Sequence, residues 1–192
     1  MNKRILILPV ILLLCMFFVG WHAYIPMVQA NSNQPAIDQL TAEVNRIYAL
    51  PSGSAFNFTV SDDTLTMAAE EAFQKYGNEI KAAVTQLVNV NIDIDKPEVE
   101  FLSDGTIKIS AKAGKGIFKV GVGVNGKINL VDGKPEIFIE KIDVPIISVS
   151  EETANSEIKG LTNQYMNYLT DFCTLSKIEV TEGQAVIEGI VK

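Results

Sequence analysis

Alternation of apolar and polar residues with a period of two dominates the middle of the chain, from Val88 to Ile142. A period of two is the side-chain period of a β-strand, because successive side chains point to opposite faces of a sheet. The alternation is interrupted at Asp104-Gly105 and at Asp132-Gly133, and Glu182-Gly183 interrupts a similar run later. Aspartate and glycine tolerate the positive φ that a tight hairpin needs. The pattern therefore predicts long strands joined by antiparallel hairpins.

Helical patterns flank these strands. Apolar residues at helical spacing predict an amphipathic helix over 36–49. The motif Val-Ser-acid-acid-Thr occurs twice, at 60–64 and 149–153, and each copy follows a strand-like run. Serine is a good N-cap and acids suit the first turn, so we predict helices over 62–87 and 150–172. This helix-start chemistry explains the match as well as an internal duplication does.

The order of these elements predicts the fold class. Helices and hairpins do not alternate strictly as βαβ units, so we predict an α+β fold with an antiparallel sheet. The chain is predicted to divide into a targeting segment at 1–30, an amphipathic helix and linker at 31–54, and a single α+β domain at 55–192. The length of 192 residues allows one sizeable core.

The first 30 residues indicate export. Lys3 and Arg4 precede an apolar run over 5–20, which is typical of a signal peptide or a membrane anchor. Cleavage after Ala30 would secrete the chain, whereas an interfacial Trp21 favours a retained helix anchored in the cell membrane. Both alternatives remain open, and both place the rest of the chain outside the cytoplasm.

Composition excludes several function classes. The net charge is −7, and the targeting segment holds two basic residues and no acid, so the remaining chain is strongly acidic. Such a chain repels phosphate backbones, and we expect no nucleic-acid partner. His22 is the only histidine, and Cys173 is the only cysteine after Cys15. The exported part therefore lacks the residues for Ser-His-Asp or Cys-His catalysis and for a His/Cys zinc site. We expect a protein that is not an enzyme and has no metal or cofactor.

Oxygen-bearing side chains are candidate ligands and catalysts. Alternate positions on one strand carry Asn89, Asn91, Asp93 and Asp95. A strand spaces such side chains roughly 7 Å apart, which suits a solvated outer face better than a Ca²⁺ site. Adjacent acids, such as Asp62-Asp63, are assigned to helix capping and solubility rather than to glycoside hydrolysis.

Apolar side chains offer the alternative of a binding groove. Gly121 and Gly123 lie opposite the face that carries Phe118, which predicts a sharply bent strand. If the helix over 62–87 and the curved sheet do not close completely, an apolar groove remains between them; the alternative is a filled core. The predicted lining residues are apolar and fall on helix or strand stripes: Phe56, Phe58, Leu65, Ala69, Phe73, Tyr76, Phe118, Val120, Val122, Phe138, Tyr165 and Leu169.

This layout resembles a known family. A strand that leads into an acidic, capped helix (56–76), Asp-Gly turns at 104–105 and 132–133, a second capped helix with Asn155, and a hairpin at Glu182-Gly183 carry the resemblance. They resemble the YpmS-like bacterial membrane-anchored proteins and, more distantly, the LmeA-like phospholipid-binding proteins. The resemblance covers about residues 55–190 and leaves the helix over 36–49 unplaced.

The resemblance implies a TULIP-like architecture, in which a strongly curved antiparallel sheet wraps around a long helix and encloses an apolar groove for lipid tails. An N-terminal hydrophobic helix precedes it, and no catalytic residues carry over. The first hypothesis is therefore an extracytoplasmic, non-enzymatic binding module for a lipid or another apolar small molecule, attached to the membrane through its N-terminal segment. The alternative is a structural or interaction subunit of an envelope complex with a fully packed core. A carboxylate-dependent hydrolase is a third hypothesis and would need a buried acid with a raised pKa.

Overall fold

The computed structural model describes residues 35–88, 93–115, 118–143, 150–152, 155, 156, 159 and 171–192. Two continuous helices and seven strands lie within these ranges. In chain order they are α1 (Ala36–Tyr48), β1 (Ala55–Ser61), α2 (Asp62–Val88), β2 (Asp93–Phe101), β3 (Ile107–Lys115), β4 (Phe118–Val131), β5 (Lys134–Asp143), β6 (Cys173–Thr181) and β7 (Gln184–Val191). The predicted helices over 36–49 and 62–87 are confirmed. The predicted N-terminal hydrophobic helix lies outside the described residues. Residues 151, 152, 155, 156, 159, 171 and 172 are helical, which fits the predicted helix over 150–172 where it is described.

All strand pairs are antiparallel, so the predicted α+β class with antiparallel pairing is confirmed. The strands form two sheets, however, where the sequence predicted one. β1, β7 and β6 form a three-stranded sheet in that order, and β2, β3, β4 and β5 form a four-stranded sheet. The reason is that β1 pairs with β7, so that the first strand joins the last hairpin rather than its neighbours in the chain.

The hairpin turns have the expected backbone. Gly105, Gly133 and Gly183 have φ values of 81°, 74° and 77°, and Asp132 has a φ of 51°. The positive φ of both Asp132 and Gly133 is the requirement of a two-residue hairpin that matches the strand twist. Pro97 lies where the β2–β3 register shifts between Asp95 and Glu98, because a proline has no N–H to donate to the pairing of the strands.

Helix α1, which the family resemblance left unplaced, packs into the same core as the strands. Val44 and Ile47 are buried, and Ile47 belongs to the core cluster. Pro35 precedes α1 and supplies no side-chain cap. The Glu71 carboxylate from α2 supplies it instead, accepting hydrogen bonds from the backbone N–H of Ala36 at 2.7 Å and of Ile37 at 3.0 Å. An anion at a helix N-terminus satisfies free donors and complements the helix dipole.

The start of α2 joins the two sheets. Ser61 caps the helix as predicted, because its Oγ accepts a hydrogen bond from the Thr64 N–H at 3.1 Å. The Asp62 N–H donates to the Gly183 carbonyl at 3.2 Å, and Asp62 Oδ2 accepts from the Phe101 N–H at 3.3 Å. Gly183 in turn donates its N–H to the Phe101 carbonyl at 3.1 Å. The end of β2, the turn between β6 and β7, and the first residue of α2 are thus bonded in a closed ring.

The core lies between the inner faces of the two sheets and the neighbouring helices. Phe56 is among its largest side chains, and its ring lies over Gly189, which is its partner in the β1–β7 register. A Cβ at Gly189 would lie 2.7 Å from Phe56 Cζ and 2.7 Å from the Thr174 carbonyl oxygen. The absence of a side chain at this position is therefore what lets the phenylalanine pack. The buried cluster consists of Ile47, Phe56, Phe58, Val60, Val99, Phe101, Ile109, Cys173, Leu175, Ala185 and Val191.

Candidate functional site

Strand β4 runs from the core into solvent along a single apolar face. Alternate side chains share this face, and their exposure increases steadily toward the start of the strand. Val124 is 4% exposed, Val122 is half-buried, Val120 is 39% exposed and Phe118 is 80% exposed. An exposed large apolar side chain that continues a buried row marks a candidate binding surface.

Strand β3 provides small residues beside this row. Ala111 is opposite Val122 and Ala113 is opposite Val120 in the β3–β4 register. Both alanines reach only one carbon from the backbone, so the surface is lower on the β3 side than on the β4 side. We call Phe118, Val120, Val122, Ala111 and Ala113 together the apolar strip. It is a shallow apolar surface that continues the core.

The opposite face of the four-stranded sheet is charged. Lys119 forms a salt bridge with Asp95 at 2.6 Å, and Lys108 forms one with Glu100 at 2.6 Å. The hydrogen bond that Lys108 donates to the Glu100 carboxylate raises the pKa of Lys108. Exposed ion pairs of this kind contribute little to stability. They do distinguish the two faces, because an antiparallel sheet that buries only one side keeps its charges on the other.

The structure divides the predicted lining residues into groups. Phe118, Val120 and Val122 lie together on the apolar strip. Phe56 and Phe58 are buried in the core, against which the partly buried Leu65 packs. Ala69 is also buried, and Phe73 is half-buried on α2. The side chains of Tyr76, Tyr165 and Leu169 lie outside the described residues.

Phe138 is not brought together with the others. It is 52% exposed, and it lies opposite Lys127 in the β4–β5 register, on the charged face. Its neighbour Ile139 points the other way and is 2% exposed. The alternation of Ile137, Phe138 and Ile139 already indicates that Phe138 points outward, because the two isoleucines occupy the inward positions.

Ala111 and Ala113 were not predicted as part of a site. They continue the period-two row of Ile107 and Ile109 on β3, which was the available signal. Alanine is a small residue and does not by itself predict a binding surface. The two alanines become part of one only when the strand that pairs with β3 is known. The β3–β4 register supplies that partner.

Ionisable groups provide no second site in the part of the chain that is described. There, no group of three histidine, cysteine, aspartate or glutamate residues is placed to hold a metal ion. Asp95, from the oxygen-bearing row, is paired with Lys119, while Asn89 and Asn91 lie outside the described residues. Cys173 is 1% exposed, and burial raises the pKa of its thiol, which disfavours the reactive thiolate.

Comparison with known proteins yields no family assignment: neither a protein-family model nor a curated protein matches this chain. No helix within the described ranges is long and apolar enough to cross a membrane.

Proposed function

We propose that the chain is a non-enzymatic binding module for a lipid or another apolar ligand. It is held at the outer side of the bacterial cell membrane by its N-terminal segment, or secreted after cleavage following Ala30. The observation that carries the proposal is the graded exposure of the apolar strip, from buried Val124 to exposed Phe118. A ligand lying along β4 would extend the core outward without any change in the strand.

The size of the exposed surface supports this proposal. A phenylalanine carries on the order of 200 Å² of accessible surface. Since Phe118 is 80% exposed, covering its ring would contribute about 4 kcal/mol at most, at about 25 cal/mol per Å². Val120 adds to this gain. An acyl chain has the elongated shape and the apolar character that match such a row.

The proposal includes a curved sheet: the four-stranded sheet curves strongly around α2, and the apolar strip faces the space between the sheet and the helix. Gly121 and Gly123 support the curvature because they leave the outer face of β4 with little side-chain bulk. A Cβ at Gly121 would meet no atom within 4 Å, so its outer surface is open.

Binding is tested with the full-length chain, purified in mild detergent and exchanged into amphipol so that detergent does not cover the strip. Native mass spectrometry detects a co-purified lipid, and titration with a fluorescent fatty acid measures the dissociation constant. A ligand that lies against one side of the Phe118 ring covers about half of its exposed surface, and Phe118→Ala removes that contribution. We expect it to weaken binding by about 2 kcal/mol, which is roughly 30-fold in Kd.

Phe138→Ala is the matched control, because it removes an exposed phenylalanine from the charged face of the same sheet. It is expected to leave Kd unchanged within about twofold, the normal range for a residue without contact to the ligand. Equal losses in both variants would show binding without a defined surface and would contradict the proposal. The absence of both co-purified lipid and fatty-acid binding would favour the alternative, an interaction subunit with a packed core.

A further inference from the structure

The outer strand β2 of the four-stranded sheet is bonded by a side chain of α2. Thr66 Oγ1 accepts a hydrogen bond from the Val99 N–H at 2.8 Å and donates one to the Val99 carbonyl at 3.1 Å. Val99 faces Ile109 across the β2–β3 pair, and its own N–H and C=O point to the free side. The hydroxyl group therefore takes the place that the next strand would occupy in a larger sheet.

The other outer strand, β5, is bonded in the same way. Asn155 Oδ1 accepts a hydrogen bond from the Ile139 N–H at 2.6 Å, and Asn155 Nδ2 donates to the Ile139 carbonyl at 2.9 Å. Asn155 is helical, like Thr66. Each outer strand thus has one residue whose backbone donor and acceptor are both satisfied by a single helical side chain.

The two contacts have corresponding positions in the sequence. Thr66 is the fifth residue after Ser61, and Asn155 is the fifth residue after Ser150. These serines belong to the two Val-Ser-acid-acid-Thr motifs. The chemistry of a helix start explains the shared serine and acids, but it does not explain why position five bonds an outer strand of the same sheet in both cases.

Each outer strand also carries a proline and an irregularity of register. In β2, Pro97 lies within the shift between Asp95 and Glu98. In β5, Pro135 lies near the start of the strand, and the pairing with β4 shifts at Asn125 and Gly126. Prolines, bulges and a covering helix are devices that prevent the edge of a sheet from pairing with another chain.

We infer that Thr66 and Asn155 are matched edge locks, which keep the two outer strands of the four-stranded sheet from pairing with a second copy of this chain. The pairing groups of Val99 and Ile139 are occupied within the molecule. The inference does not depend on ligand binding, because it concerns the edges of the sheet and not the face that carries the apolar strip.

Amide hydrogen exchange of the full-length chain in detergent tests each lock separately. Thr66→Val is nearly isosteric and removes the hydroxyl, and Asn155→Leu removes the amide. Losing a hydrogen bond and leaving its partner unsatisfied is expected to raise exchange about 10-fold, at the Val99 amide in the first variant and at the Ile139 amide in the second. Sedimentation velocity of the double variant is expected to show concentration-dependent dimers.

Controls separate the locks from general effects. Thr59→Val and Asn129→Leu make the same chemical changes at exposed strand positions and are expected to retain wild-type exchange and sedimentation. Thr66→Ser keeps the hydroxyl and is expected to restore protection at Val99. The inference would be overturned if exchange were unchanged at both amides, or if it rose equally over both outer strands in each single variant. It would also be overturned if Thr66→Ser behaved like Thr66→Val, or if the double variant stayed monomeric at all concentrations.

Discussion

Replacement of Gly189 by alanine tests the packing of the three-stranded sheet. In the structure, the added Cβ would lie 2.7 Å from Phe56 Cζ, 2.8 Å from Phe56 Cε1 and 2.7 Å from the Thr174 carbonyl oxygen. Phe56 is buried, so its ring has little room to move, and the carbonyl belongs to the backbone of β6. The methyl group can fit only if the strands shift.

The cost can be worked out from these contacts. Overpacking a core with one extra carbon costs about 1–3 kcal/mol, and a clash with backbone places this change in the upper half of that range. Alanine recovers about 0.4–1 kcal/mol by restricting the unfolded chain. The net expected loss is therefore about 2 kcal/mol, or about 4–8 °C in Tm for a domain of this size.

Thermal and urea unfolding, followed by far-ultraviolet circular dichroism, would measure this loss. Gly121→Ala is the control, because a Cβ there meets no atom within 4 Å. Its free energy of unfolding is expected to lie within about 0.5 kcal/mol of the wild-type value or slightly above it. In the Phe56→Leu background, Gly189→Ala should cost less stability than in the wild type, because the contact with the ring is gone. The part of the cost that comes from the Thr174 oxygen should remain. If Gly189→Ala and Gly121→Ala had equal stabilities, the close packing of Phe56 on Gly189 would be refuted.

Two further predictions concern charged groups. Glu71→Gln is expected to destabilise the chain by about 1–2 kcal/mol, because a neutral amide keeps one acceptor for α1 but loses the second acceptor and the charge. Glu70→Gln, at the exposed neighbouring position, should change the urea midpoint little, and equal effects would contradict the capping role. Hydrogen bonds from Thr106 lower the pKa of Asp104, so its contribution to stability is present above the ordinary aspartate pKa and is lost as pH falls through the lowered folded value. Asp104→Asn should remove that part of the pH dependence of the unfolding midpoint, and an identical acid profile in both proteins would argue against it.

Local features of this fold could be predicted from the sequence, and distant pairings could not. The turns at Asp104-Gly105, Asp132-Gly133 and Glu182-Gly183 follow from residues that are adjacent in the chain, as does the cap at Ser61. The pairing of β1 with β7 depends on segments at opposite ends of the described chain, and no periodicity within either one specifies its partner. The single expected sheet was wrong for that reason.

The candidate site shows the same division. Period-two alternation assigns Phe118, Val120 and Val122 to one face, because this face is a property of one strand. Their exposure could not be predicted, since it depends on what packs against the sheet. Phe56 and Phe58 show the same alternation, yet they are buried, because the inner face of β1 packs into the core between the two sheets.

The pairing of β1 with β7 also has a consequence for the order of folding. The four strands from β2 to β5 pair with their neighbours in sequence, so this meander has mostly short-range contacts and can form early. The three-stranded sheet must wait until residues 184–191 are available, because β7 is the strand that joins β1 to β6. The ring of bonds through Asp62, Phe101 and Gly183 closes at that stage, which makes its formation a late, long-range event. A nascent chain therefore leaves β1 without its partner until β7 has emerged, and during this interval the unpaired strand is open to misfolding and proteolysis.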